Sequence, residues 1–135
     1  EAHIYDVRGN KYHGLCKQAP VKLSGGQAKV FALSPYKVTG LELSLDKETY
    51  CRGDAVSYKL DILADSKAPS AHAFRIELVN PENKTVRHYS KNLLAENGSC
   101  SATLQLSLNE QQGKWRLRAR ELISGKTAEK TFSIE

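Results

Sequence analysis

Apolar and polar residues alternate with a period of two along most of this chain, and a helical period is sustained nowhere. From residue 41 onward the alternation is regular. Leu41, Leu43 and Leu45 are interleaved with Glu42, Ser44 and Asp46, and Val56, Tyr58, Leu60 and Ile62 with Ser57, Lys59 and Asp61. Phe74, Ile76 and Leu78 follow, separated by Arg75 and Glu77. Ala102, Leu104, Leu106 and Leu108 share one phase, and Thr103, Gln105 and Ser107 the other. Trp115, Leu117 and Ala119 alternate with Arg116, Arg118 and Arg120, and Phe132 and Ile134 with Thr131 and Ser133. Successive side chains of a strand point to opposite faces, so each segment predicts a strand with one buried and one wetted face, as antiparallel sheets have.

Turn-forming residues separate these segments: Arg52-Gly53-Asp54, Asn80-Pro81-Glu82-Asn83, Glu96-Asn97-Gly98 and Ser124-Gly125-Lys126. With a shorter strand expected at 86–89, residues 41–135 hold about seven strands. Short strands at this spacing predict an all-β, two-sheet antiparallel sandwich. Residues 1–40 read differently, with strands expected at 4–8, 21–24 and, after the Gly25-Gly26 turn, 27–33. Three short strands bury too little apolar area, at about 25 cal/mol per Å², to offset the ordering of their backbone. They are therefore expected to pack on the sandwich or to close a preceding domain, with Ser34-Pro35 as the boundary.

Composition narrows the classes. The chain has 135 residues, 40% hydrophobic and 26% charged, which is globular rather than disordered. No apolar run is long enough to cross a bilayer, so no membrane insertion is expected. With no Met and Glu1 first, the chain is expected to be a piece of a longer or processed product, and the lack of a leader then says nothing about location. The net charge of +5 is spread over nearly every strand among interleaved acids, whereas nucleic-acid binders concentrate it, so no nucleic-acid partner is expected. The three cysteines, Cys16, Cys51 and Cys100, are far apart and form no metal-ligand pattern.

Two stretches carry resemblances. Tyr5-Asp6-Val7-Arg8-Gly9-Asn10-Lys11-Tyr12-His13-Gly14, then Val21-Lys22-Leu23-Ser24-Gly25-Gly26 and Ala28-Lys29-Val30-Phe31-Ala32-Leu33, resemble the closing strands of β-sandwich modules behind the catalytic domain of bacterial β-galactosidase-like glycoside hydrolases. In those a "YDVxxGKYxG" hairpin leads to an apolar strand ending near a Pro, and here Asn10 replaces the Gly before Lys11. Tyr50-Cys51-Arg52-Gly53-Asp54-Ala55-Val56 and Gly113-Lys114-Trp115-Arg116-Leu117-Arg118-Ala119 are similar to "YxxGDxV" and "GxYxLxA" of immunoglobulin-like and macroglobulin-type domains. The resemblances imply an immunoglobulin-like sandwich in a bacterial, secreted or periplasmic parent. Its partners would be neighbouring domains of that parent or another protein, and the alternative is a stand-alone interaction module of macroglobulin or adhesin type.

Candidate chemistry is sparse. Glycoside hydrolysis needs two carboxyl groups facing across a cleft, whereas Glu42, Asp46, Asp61, Asp65 and Glu77 fall on solvent-phase positions or in turns. His3, His13, His72 and His88 lack metal-ligand spacing, and neither a nucleophile elbow nor a phosphate loop is present. No catalytic, cofactor-binding or metal-binding residue is therefore assigned, and the chain itself is expected not to be an enzyme. Trp115 is in core phase, and Tyr12, Tyr36 and Tyr50, at turns or boundaries where rings can be exposed, form no sugar platform. Asn83-Lys84-Thr85 and Asn97-Gly98-Ser99 are glycosylation sequons, relevant only in a secreting eukaryote.

One feature points outward: Arg116, Arg118 and Arg120 form a basic row, either a docking stripe or a solvated face balanced by cross-strand acids. A four-residue turn at 123–126 pairs Leu117 with Phe132 and Trp115 with Ile134. It sets Arg120 opposite Glu129, Arg118 opposite Thr131 and Arg116 opposite Ser133, leaving Arg116 and Arg118 for docking. Cys51 and Cys100 begin antiparallel neighbouring strands, at opposite ends of a sheet, and no intramolecular disulfide is expected.

Overall fold

The computed structural model describes residues 1–66 and 68–135. The described residues form eleven strands and no α-helix. Eight of the strands make a sandwich of two sheets. One sheet has β4 (Val38–Leu45), β6 (Ala55–Ala64) and β9 (Ser99–Gln105) in the order β4-β6-β9. The other has β5 (Thr49–Tyr50), β7 (His72–Val79), β8 (Lys91–Ala95), β10 (Gly113–Glu121) and β11 (Thr127–Ile134) in the order β5-β11-β10-β7-β8. The pairings are antiparallel apart from β5, which lies parallel to β11. The chain passes repeatedly between the sheets, in the Greek-key manner of an immunoglobulin-like sandwich.

Alternation explains the core. Phe74, Ile76 and Leu78 from β7, Leu60 from β6, Trp115, Leu117 and Ala119 from β10 and Phe132 and Ile134 from β11 are buried together. Each large side chain so buried stabilises the fold by about 1.5–3 kcal/mol relative to exposure. The Trp115 indole N–H donates to the Gln111 carbonyl at 2.8 Å, so the ring is buried without an orphaned donor. Tyr50 meets Phe132 edge-on, with centroids 5.3 Å apart.

Two local readings change. Residues 86–89 are not a strand: Arg87–Tyr89 is a 3₁₀ turn, and the strand is β8 beyond it. The apolar signal there comes from Tyr89, which plugs the core edge from a turn while its hydroxyl accepts the Ser107 N–H at 2.9 Å. Leu108, in phase with Leu104 and Leu106, is 84% exposed because β9 ends at Gln105.

At the N-terminus β1 (Ala2–Asp6), β2 (Lys11–Cys16) and β3 (Phe31–Ser34) form a separate antiparallel sheet in the order β2-β1-β3. β1 stops before residue 8 because the Asp6 carboxylate accepts the Gly9 N–H at 2.7 Å, turning the chain towards Asn10, whose φ of 51° suits the residue that stands for Gly. The strand expected at 21–24 is absent, and Val21 and Leu23 are exposed in irregular chain. β2 was hidden from pattern reading by a bulge: Ile4 pairs with Gly14 but Tyr5 with Tyr12, so His13 is an extra residue and the alternation breaks. This sheet meets the sandwich at few points. Buried Tyr5 accepts the Val38 N–H at 2.9 Å, and the Asn10 turn rests against Gly125 so closely that a Cβ there would strike its carboxamide.

Candidate functional site

The basic row lies on the outer face of the five-stranded sheet, as its phase requires, but its partners differ from those expected. β10 and β11 pair Trp115 with Phe132, Leu117 with Lys130, Arg116 with Thr131, Arg118 with Glu129 and Arg120 with Thr127. The register is two residues away from the expected one, which keeps every side chain on its proper face and changes every neighbour. Its cause is Glu121. The N–H of Glu121 donates to the Lys126 carbonyl at 2.8 Å, closing the turn over 122–125 rather than 123–126. The Glu121 carboxylate then accepts the N–H groups of Ile123 at 3.0 Å and Ser124 at 2.6 Å, and the Ser124 hydroxyl at 2.5 Å.

Charge is redistributed accordingly. Glu129 holds Arg118 at 2.5 Å and Arg116 at 3.5 Å, and Arg116 also donates to the Asn83 carboxamide. Arg116 and Arg118, expected to be free, are thus the compensated pair. Arg120 stands opposite Thr127 on one side and Arg75 of β7 on the other, with no carboxylate in ion-pair range among the described residues. Arg75 reaches Glu77 only at 3.8 Å and donates to Asn92 at 3.3 Å. Like charges directly opposite on a sheet are unfavourable, so the Arg75–Arg120 juxtaposition is a positive spot, compensated only by the long contact of Arg75 with Glu77. It lines a cleft of about 530 Å³ with Asn10, Thr127 and Glu129.

Behind this face lies a buried polar chain. Extending the row 115, 117, 119 by one step reaches Glu121, and extending 74, 76, 78 backwards reaches His72, so parity alone places both in the core. His72 and Glu121 are 2% and 0% exposed, with Nδ1 3.1 Å from Oε1. His72 Nε2 lies 2.8 Å from the Tyr36 hydroxyl, which is 2.7 Å from Ser70 Oγ and accepts the Ser70 N–H at 2.7 Å. The carboxylate accepts a hydrogen bond from the proton carried on Nδ1, which leaves Nε2 to bond with the Tyr36 hydroxyl. Burial pushes the Glu121 carboxyl up, but its hydrogen bonds from His72, Ser124 and Ile123 outweigh this and hold it below the ordinary value. The imidazole faces a phenol and Ser70 Oγ bonds to that phenol, so the chain clasps the segment before β4 to β7 and the β10–β11 turn.

The remaining candidates serve local structure. Asp46 accepts from the Tyr50 hydroxyl at 2.6 Å and the Ser57 N–H at 3.0 Å, Asp61 from Ser99 at 2.6 Å, and Asp65 from the Lys37 N–H at 2.6 Å. Tyr36 and Tyr50, placed at boundaries by sequence, are buried, and only Tyr12 keeps an exposed ring. Among the described residues no three His, Cys, Asp or Glu side chains gather as a metal site. The three cysteines are free, and the β6–β9 register sets Cys100 opposite Leu60, at the far end from the Ala55 end that Cys51 precedes.

No family model and no curated protein matches the chain. Solved structures do share its fold. Spo0M, a sporulation control protein from Bacillus subtilis, is 14% identical over 73% of this chain and 50% of that one, with a TM-score of 0.50. The adhesin InvE of Yersinia pseudotuberculosis is 17% identical over 82% of this chain and 36% of that one, with a TM-score of 0.52. Identities this low speak for fold alone, and the chain spans half or less of either structure.

Proposed function

We propose that the chain is a non-catalytic accessory β-sandwich module of a larger glycoside hydrolase-like protein, serving as spacer, stabiliser or docking surface. The observation that carries this reading is the state of the N-terminal sheet. Leu15 and Leu33 are 56% and 70% exposed on its two edge strands, Leu15 in the row of His3 and Leu33 in the row of Ile4 on the opposite face, and Val21, Leu23 and Val30 are exposed in the chain between those strands. Large apolar side chains left open on both faces of one small sheet suit coverage by a neighbouring domain. The hairpin bearing Tyr5-Asp6-Val7 and Lys11-Tyr12 adds its resemblance to closing strands of modules in β-galactosidase-like enzymes. The test is made on the parent protein: deleting residues 41–135 should lower its thermal midpoint while turnover of an aryl glycoside persists. A parent without an upstream (β/α)₈ barrel bearing paired carboxylates would overturn the reading.

A protein-interaction module of macroglobulin or adhesin type is the second reading, supported by the shared fold with the adhesin InvE. Tandem sandwich repeats flanking this one in the parent would favour it.

A further inference from the structure

We propose that the open edge of β11 is a docking site for an acidic, extended segment of a partner protein, which adds a strand beside Thr127, Glu129 and Thr131. β5 covers β11 only at Ser133 and Ile134. The N–H groups of Ser133 and Glu135 point to that side, donating to the carbonyls of Glu48 at 2.9 Å and Tyr50 at 3.0 Å. Backbone direction alternates along a strand, so Thr127, Glu129 and Thr131 turn both N–H and C=O to the same side. Among the described residues nothing pairs with these amides, and the three residues are exposed. An unpaired run of this kind is a template for a further strand.

Charge selects the strand. On the outer face, Arg120 and Arg75 lie in the cross-strand row that begins at Thr127; Arg120 has no ion-pair partner among the described residues, and Arg75 has only Glu77, at 3.8 Å. Strands sit about 4.8 Å apart, so an added strand lies about 10 Å from the Arg120 backbone, within the combined reach of an arginine and a glutamate across a small Thr. On the opposite face of β11, Lys130 is exposed although it is in phase with buried Phe132. A lysine on an edge discourages pairing by neutral strands, and a chain of net charge +5 repels a second copy of itself. Glu129 does not repel an acid strongly, because it already holds Arg116 and Arg118. The occupant that the outer face selects is an extended segment with Asp or Glu at alternate positions, which turns all its acids towards the arginines.

The experiment titrates the ¹⁵N-labelled full chain with an acetylated seven-residue peptide alternating Glu and Val, and with a Lys–Val counterpart. The Glu peptide should shift the amides of Thr127, Glu129 and Thr131 and slow their hydrogen exchange. Arg120→Gln should weaken binding about fivefold, the scale of one exposed ion pair. Thr131→Pro should abolish strand addition while leaving the β10 pairing intact, because that N–H faces the open side. Equal binding of the Lys peptide, shifts confined to arginine side chains without protection of the three amides, shifts at β9 instead, or no shifts at all would each overturn the assignment.

Discussion

The imidazole Nδ1 of His72 sits 3.1 Å from Oε1 of Glu121, with both side chains sealed from solvent. The same carboxylate organises the β10–β11 turn, so its removal strips partners from His72 and from the N–H groups of Ile123 and Ser124 at once. Glu121→Ala should therefore destabilise the fold by about 3–5 kcal/mol, since several donors lose one shared acceptor at about 1–3 kcal/mol for each left buried and unsatisfied. Urea unfolding measures it, and a loss below about 1 kcal/mol, the size of a typical exposed ion pair, would show the clasp to be dispensable.

Acid should weaken the same feature. Burial raises the Glu121 carboxyl, its hydrogen bonds lower it by more, and the folded value lies below the ordinary 4.5. A carboxyl depressed in the folded state contributes its stability in full above the unfolded value and loses it as pH falls through the folded one. The stability gap between wild type and Glu121→Gln should accordingly be widest at neutral pH and close below pH 4.5. Calorimetric midpoints across that range check the sign, and a gap that widens in acid contradicts it.

Two leucines in apparent strand phase should behave oppositely. Leu117 is fully buried, and Leu117→Ala should cost about 2–5 kcal/mol. Leu108 is 84% exposed, and Leu108→Ala should fall within about 0.5 kcal/mol of wild type. Chemical denaturation of the two variants side by side decides the matter.

The outcome for Leu108 belongs to a wider lesson about what pattern reveals. Phase was legible: Trp115, Leu117, Phe132 and the three arginines lie on the faces that alternation assigns them. Register was not, because a two-residue slip preserves phase, and the residue that decides it, Glu121, reads as an ordinary surface acid at a strand end. Its place in the row of Trp115 was the available signal. The Arg75–Arg120 juxtaposition depends on the pairing of β7 with β10, which local pattern does not encode. In the first forty residues the bulge at His13 masked a strand, while exposed Val21 and Leu23 imitated one.

Thiol chemistry should report the β6–β9 register. All three cysteines should titrate as free thiols in denaturant, whereas a single free thiol would require a disulfide that the opposed strand ends exclude. In the native protein exposed Cys51 should react with an aromatic disulfide reagent before Cys100, which is half-buried and whose thiol is pushed up by burial.

Removing one oxygen should loosen the attachment of the N-terminal sheet. Tyr5→Phe deletes the hydroxyl that accepts the buried Val38 N–H at 2.9 Å, at an expected cost of about 1–3 kcal/mol. Hydrogen exchange at Val38 should accelerate with it, and unchanged protection would mean that another group holds that amide.

The parallel seating of β5 against β11 also governs how the sandwich bears tension. A pull transmitted through the preceding chain draws β5 backwards along its axis, while a pull at the far end draws β11 forwards. Because the strands run the same way, the bonds at Ser133 and Glu135 are loaded together in shear rather than opened one after another. A sandwich joined in this manner yields at a force threshold instead of unzipping gradually, and this smallest of its strand pairings acts as its mechanical latch.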